Sequence, residues 1–282
     1  MENSVQLLRE LKPTFRYWME TEVHVYGLSV AASVLLSFFP FLIVMVSVCR
    51  YVLHWPGAEQ AIYFALSETF PDEMGKFIIR NLQATVAARG PFQVISVLLL
   101  LFTANGIFEP LEVALNRVFR APANRSYFRN QLVSLGLVFL CGALVLASIT
   151  LTAVNRSQME ALMGAKTPAA AWMTALVFKM AALPITILML LLIYKLLPNG
   201  RVDINRVVPA AVLVGLLLEA LKYLMWLIWP WLRLKLSREY GPFINSVTIL
   251  LWSFFGAMLV LAGGEWAARQ EKEPISSPTP PA

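Results

Sequence analysis

The sequence predicts an all-α fold: a polytopic membrane helical bundle with six transmembrane helices, an N-terminal interfacial helix and a small helical cap between the first two spans. Three observations carry this. Of 282 residues, 58% are hydrophobic and 14% charged, and the mean hydropathy is +0.66; an ordinary soluble domain has about 45–50% apolar and about 25% charged residues. Six stretches approach the roughly 20 mainly apolar residues that a helix needs to cross a hydrocarbon core about 30 Å thick. The Lys and Arg residues punctuate these runs and do not gather on one polar domain. The composition excludes a soluble enzyme and a disordered chain. The net charge of +6 is loop charge spread along the chain, so no nucleic-acid partner is expected.

Residues 1–27 read as a cytoplasmic interfacial helix, with Lys12-Pro13 at its start and Phe15, Tyr17, Trp18 and Met19 suited to the headgroup level. The membrane domain covers 28–269, with spans at about 28–48, 91–108, 132–154, 172–194, 207–232 and 243–264. Backbone groups in lipid must be satisfied within the segment, so runs of this length are helices. No small-residue cleavage site follows the first run, which reads as an uncleaved span. The cap, residues 51–90, is expected to contain a helix that starts at Pro71 with Asp72 and Glu73 in its first turn. Phe77, Ile78, Leu82 and Val86 form its apolar face, and Gly90-Pro91 stops it. It either packs on the bundle or gates a pathway. Residues 270–282, rich in proline, read as a disordered cytoplasmic tail. Gly-Pro-Phe opens an apolar run twice, at 90–92 and 241–243, a weak internal recurrence.

Twelve of the 23 Lys and Arg residues flank the spans on the side of the N-terminus and nine on the other, and four of the nine are diluted over the long first connection. The positive-inside rule then places both termini in the cytoplasm.

The remaining two cations, Lys179 and Lys222, fall inside spans together with Glu219. An ionisable group at a helix centre costs about 2.5–3.5 kcal/mol on insertion scales and persists where it meets a partner or a wet cavity. Lys179 and Glu219 lie at similar depths, and Lys222 shares a helix face with Glu219. The three read either as a charge pair that fixes register or as a site for an anionic substrate. Asn105, Glu109 and Glu112 extend this polar set in the second span, where Glu109 and Glu112 share a face; they read as pathway lining or as a solvated inner end. Pro40 and Pro184 interrupt the first and fourth spans, and broken helices free carbonyls that can line transport sites. Ser29, Ser33 and Ser37 form a small-residue stripe that favours close helix packing, Ser37 adjoining Pro40 on a candidate pathway wall. After the fifth span, Arg233, Lys235 and Arg238 form a basic outer loop, against the positive-inside rule, and it can draw anionic headgroups or solutes inward.

The catalytic inventory is poor. Cys49 and Cys141 fall in apolar runs and read as packing residues; His24, His54, Asp72 and Asp203 are scattered. No catalytic residue, metal site or cofactor is assigned, and no Gly-rich phosphate loop indicates ATP coupling.

Several segments together resemble the YihY/BrkB family of bacterial inner-membrane proteins. These are LLSFFPFLI with Ser37, Phe39 and Pro40; ALNRVFR at 114–120; YKLLPNGRVDINRVVPAA with Pro198 and Pro209; and YGPFINSVTILLW…LAGGEWAAR with Tyr240, Gly241, Gly263 and Glu265. The resemblance covers roughly residues 15–269. Where the family often ends Gly-Ala-Glu-x-Asn, this chain has Gly263-Gly264-Glu265-Trp266-Ala267, so any polar role of that asparagine is missing here. The resemblance implies a six-helix inner-membrane protein without an agreed activity. The family's older label, ribonuclease BN, is regarded as a misassignment, and the absence of clustered acid–base or metal-binding residues fits that view.

The expected function is a transporter, or a component that translocates a lipid or solute, with an anionic cargo bound near Lys179, Glu219 and Lys222. The alternative is a non-transporting membrane scaffold or assembly partner of a cell-envelope complex, with cap residues such as Phe77 and Leu82 in the partner contact. The expected partners are membrane lipids, an anionic solute or headgroup, and an envelope protein or a second copy of the chain. The expected location is the bacterial inner membrane.

Overall fold

The structure, a computed structural model, describes residues 13–70, 72–88, 91–121, 126–163, 183–200 and 202–269. Among these residues all regular structure is helical. A helical segment at 13–18 precedes α1 (Thr21–Ser47), which runs into a π turn at Val48–Val52. Next come α2 (Pro56–Thr69), α3 (Asp72–Ala87), α4 (Pro91–Val118), α5 (Tyr127–Met163) and α6 (Leu183–Leu196). The last two are α7 (Ile204–Tyr240) and, after a 3-10 turn at Gly241–Phe243, α8 (Ile244–Arg269).

Among the described residues, four stretches have the length and apolarity to cross a membrane: Glu22–Val52, Phe128–Ala147, Ile204–Met225 and Leu227–Arg269. They carry the first, third, fifth and sixth expected spans. The second expected span lies on α4, a helix of 28 residues. The fourth begins within 164–182, outside the described residues, and ends in α6. Residues 1–12 of the expected interfacial helix, the tail 270–282, and the start and stop residues Pro71 and Gly90 also lie outside. The helix at 13–18 ends at Met19 and Glu20, and Glu20 is extended (φ −70°, ψ 134°). Residues 21–27, expected in the interfacial helix, therefore open α1 instead.

α1 is the central helix and packs mainly against α4 and α8. Within lipid the hydrophobic effect does little to join helices, and close van der Waals contact takes its place. The serine stripe supplies that contact: a Cβ on Gly106 of α4 would stand 2.6 Å from the Ser33 hydroxyl oxygen. Ser37 is buried, and its hydroxyl donates to the Ser33 carbonyl at 2.8 Å, which satisfies it within its own helix. Pro40, one turn further, is also buried inside α1.

The core has two parts. One gathers Val30, Leu115, Tyr194, Val214 and Leu261 from α1, α4, α6, α7 and α8. The other gathers Val46, Cys49, Ile62, Ile78 and Leu82 from the end of α1, the π turn, α2 and α3. Ile78, Leu82 and Val86 face inward on α3 as their spacing predicts, while Phe77 stays 45% exposed on its flank. Leu82 is fully buried, so its side chain stabilises α3 from within and presents nothing to a partner.

The basic stretch after the fifth span, read from sequence as a loop, is helical. α7 continues for 37 residues, and Arg233, Lys235 and Arg238 stand on its last turns. The helix stops only at Gly241, whose φ of +50° a glycine adopts without strain and whose N–H closes on the Ser237 carbonyl. Asp203 caps the other end, its carboxylate accepting from the Asn205 N–H at 3.1 Å.

Candidate functional site

α7 places the intramembrane charges. Glu219 and Lys222, three residues apart, form an ion pair with Lys222 Nζ 2.8 Å and 2.9 Å from the two carboxylate oxygens. The pair lies within the apolar stretch Ile204–Met225. The Glu219 side chain is 20% exposed and that of Lys222 49%, so the lysine is the more open member of the pair. In water such a pair would contribute about 0–1 kcal/mol. In a span each unpaired charge costs several times more, so pairing offsets much of that cost. Lys179 lies outside the described residues.

Further along α7 the same helical stripe carries Trp229 and Arg233, since spacings of three, seven and four residues keep one face. Arg233 is eleven residues, about 16 Å, beyond Lys222 at 1.5 Å per residue. There it lines a cavity of about 710 Å³ between α3 and the α7–α8 turn, together with Glu73, Lys76, Arg80, Gln83 and Asn245. Lys235 sits 5.7 Å from the centre of the Trp231 ring, and Arg238 is exposed on the last turn.

The second-span candidates part company. Glu109 is exposed, whereas Glu112 is only 3% exposed. Glu112 accepts from the Asn199 side-chain amide at 3.1 Å and from that of Asn116 at 3.4 Å, so it does not belong to a solvated end. Asn116 in turn accepts the Asn199 backbone N–H at 2.7 Å. Asn105 lies on α4 one turn before Glu109, with its side chain outside the described set.

This amide–carboxylate clamp ties the turn after α6 to the end of α4. Next to it, the fully buried Tyr194 donates its hydroxyl to the Val260 carbonyl of α8 at 2.7 Å. Gly263 and Gly264 make room for it: a Cβ on Gly263 would stand 2.6 Å from the Tyr194 oxygen. Glu265 accepts from Thr14 at 2.8 Å and from Arg269 at 2.7 Å, and Arg269 also reaches Thr14, so the segment at 13–18 is pinned to the end of α8. Arg117 on α4 pairs with Glu22 on α1. Sequence reasoning missed Tyr194, Asn199 and Thr14 as members of this end. The signal available was the polar turn Pro198-Asn199-Gly200 between two apolar helices.

Three of the segments that carry the family resemblance meet here: 114–120 through Asn116 and Arg117, 194–200 through Tyr194 and Asn199, and the last through Gly263, Gly264 and Glu265. A family model described as Virulence factor BrkB matches residues 14–281. A UPF0761 membrane protein of Xanthomonas oryzae pv. oryzae is 25% identical over 231 residues, covering 79% of this chain and 49% of the relative. A UPF0761 membrane protein of Xanthomonas campestris pv. campestris is 24% identical over 213 residues, covering 76% of this chain and 45% of the relative. The chain spans about half the length of the curated relatives it matches. No solved structure matches it. The chain belongs to the BrkB virulence factor family and is a membrane protein.

Proposed function

We propose that the protein is a translocation component of the bacterial inner membrane, with both termini cytoplasmic, that moves an anionic solute or lipid. In this reading Lys179 and Lys222 engage the cargo's charge, and Glu219 balances them when the site is empty. No cofactor and no catalytic step are required. The observation that supports it is the Glu219–Lys222 pair within an apolar span, with the Lys222 side chain half-exposed, where a purely structural pair would be better sealed from its surroundings. The test is flux in proteoliposomes, measured with an anionic fluorescent lipid and with a small anionic solute. Lys179→Gln, and Lys222→Gln made together with Glu219→Gln so that no lone charge is left in the span, should each abolish flux while leaving protein abundance and detergent thermal stability near wild type. Parallel loss of abundance and flux makes the cluster structural.

A scaffold role is the second reading, supported by the exposed Phe77 on α3 and by exposed Leu53 and Trp55 before α2. It expects Phe77→Ala to release a crosslinkable envelope partner or a second copy of the chain, while the purified wild-type protein shows no flux.

A further inference from the structure

We propose that residues 13–18 form a latched strap that closes the end of the bundle where α1 begins and α8 ends, and that gates flux there by swinging about Met19–Glu20. The strap is a short helical segment, set apart from α1 by the extended backbone of Glu20 (φ −70°, ψ 134°). A break of this kind between two helical segments can absorb a large dihedral change while both segments stay folded.

The strap has two sides. Tyr17 and Trp18 are partly buried and pack against the main core, whereas Phe15, Arg16 and Met19 are exposed. Tyr17 stands within electrostatic reach of Glu265 on α8, Arg117 on α4 and Tyr26 on α1, so the strap lies where three helices end or begin. The latch is made of side chains. Thr14 donates its hydroxyl to Glu265 at 2.8 Å, Arg269 donates to the same carboxylate oxygen at 2.7 Å, and Arg269 also reaches Thr14. Releasing these contacts breaks no backbone hydrogen bond of α8.

An opposing cost is built into the closed position. The Trp18 indole N–H is buried and donates to no acceptor among the described residues. A buried donor left unmet is destabilising, and tryptophan at a membrane boundary keeps its N–H where water or headgroup oxygens reach it. Closing the strap joins Thr14 to Glu265, and opening it frees the Trp18 N–H to find an acceptor. Two positions, each satisfying a group that the other leaves unmet, make a two-state element that a small change in the latch can shift. The gating rests on the translocation reading, in which this end is the cytoplasmic mouth of the pathway; the swing itself does not.

Spin-label distances on the full chain in lipid nanodiscs test the swing, with labels at Arg16→Cys and Asn205→Cys in a Cys49→Ala/Cys141→Ala background. The latched form should give one short distance. Glu265→Ala, which removes the shared acceptor, should move the population to a second, longer distance. Thr14→Val should raise the longer population about fivefold over Thr14→Ser, which keeps the hydroxyl, the factor expected for one hydrogen bond. An unshifted distance in Glu265→Ala, a broad spread in place of a second distance, or equal behaviour of Thr14→Val and Thr14→Ser overturns the proposal. In proteoliposomes Glu265→Ala should raise flux above wild type at equal abundance, and an open strap beside an unchanged, non-zero flux overturns the gating. If the second distance appears while neither protein shows flux, the strap stands and translocation falls. If wild type shows flux that Lys179→Gln abolishes while Glu265→Ala leaves the distance unshifted, translocation stands and the strap falls.

Discussion

Asn199 donates its side-chain amide to Glu112 across 3.1 Å, joining the turn after α6 to a buried carboxylate 87 positions earlier in the chain. The same residue's backbone N–H is held by Asn116. A buried carboxylate needs such donors, because leaving it unsatisfied costs about 1–3 kcal/mol or more.

Glu112→Ala and Asn199→Ala should each lower stability by about 1–3 kcal/mol, read as a lower midpoint of thermal unfolding in detergent. Glu112→Gln keeps one carbonyl acceptor and should lose less. The double variant should be less destabilised than the sum of the single ones, with a coupling of about 0.5–3 kcal/mol. Strict additivity would mean that the contact contributes nothing.

Gly263 and Gly264 hold their places by lack of a side chain. A Cβ on Gly263 meets Val214 and the Tyr194 hydroxyl, and one on Gly264 meets Leu115. Gly263→Ala and Gly264→Ala should each cost about 1–3 kcal/mol through overpacking. Gly136 on α5 has nothing within 4 Å, so Gly136→Ala should be neutral or mildly stabilising in the same unfolding assay.

Glu265 accepts from both Thr14 and Arg269. Glu265→Ala should free the segment at 13–18 while α8 stays folded. Trypsin should then cut at the exposed Arg16 several-fold faster, with no comparable change at Arg238. Equal acceleration at both sites would indicate general loosening.

Burial pushes the hydroxyls of Tyr17 and Tyr63 up from their ordinary value, and Tyr63 is pushed further because it donates to Glu59 at 3.0 Å. In the unfolded chain both ionise near pH 10. Their contribution to stability is therefore complete below about pH 10 and is lost as pH rises toward the higher folded-state values. Thermal stability should fall above about pH 10, and Tyr17→Phe with Tyr63→Phe should flatten that fall without changing its onset at other groups.

Much of the fold is legible along the chain because its causes are local. Transfer to lipid is a sum over consecutive residues, so apolar runs such as 28–48 and 243–264 identify themselves. The Glu219–Lys222 pair is equally local, being set by three-residue helical spacing. The reading failed where a local cue was ambiguous. Trp231 to Tyr240 reads as a loop because it is charged, yet it contains no helix breaker before Gly241, and the helix continues. Glu109 and Glu112 read as one polar face, yet Glu109 is exposed while Glu112 is buried against the Asn199 amide brought from another part of the chain.

The sequence by itself determined the helical class, the apolar spans and the charges within them. The tertiary structure alone decided that Ser33 meets Gly106, that Tyr194 seals against Val260, and that Arg80 and Arg233 share one cavity. The reason is physical. Propensity and hydropathy act between neighbours in sequence, whereas these contacts depend on the rotation and register of helices packed side by side, which no single segment encodes.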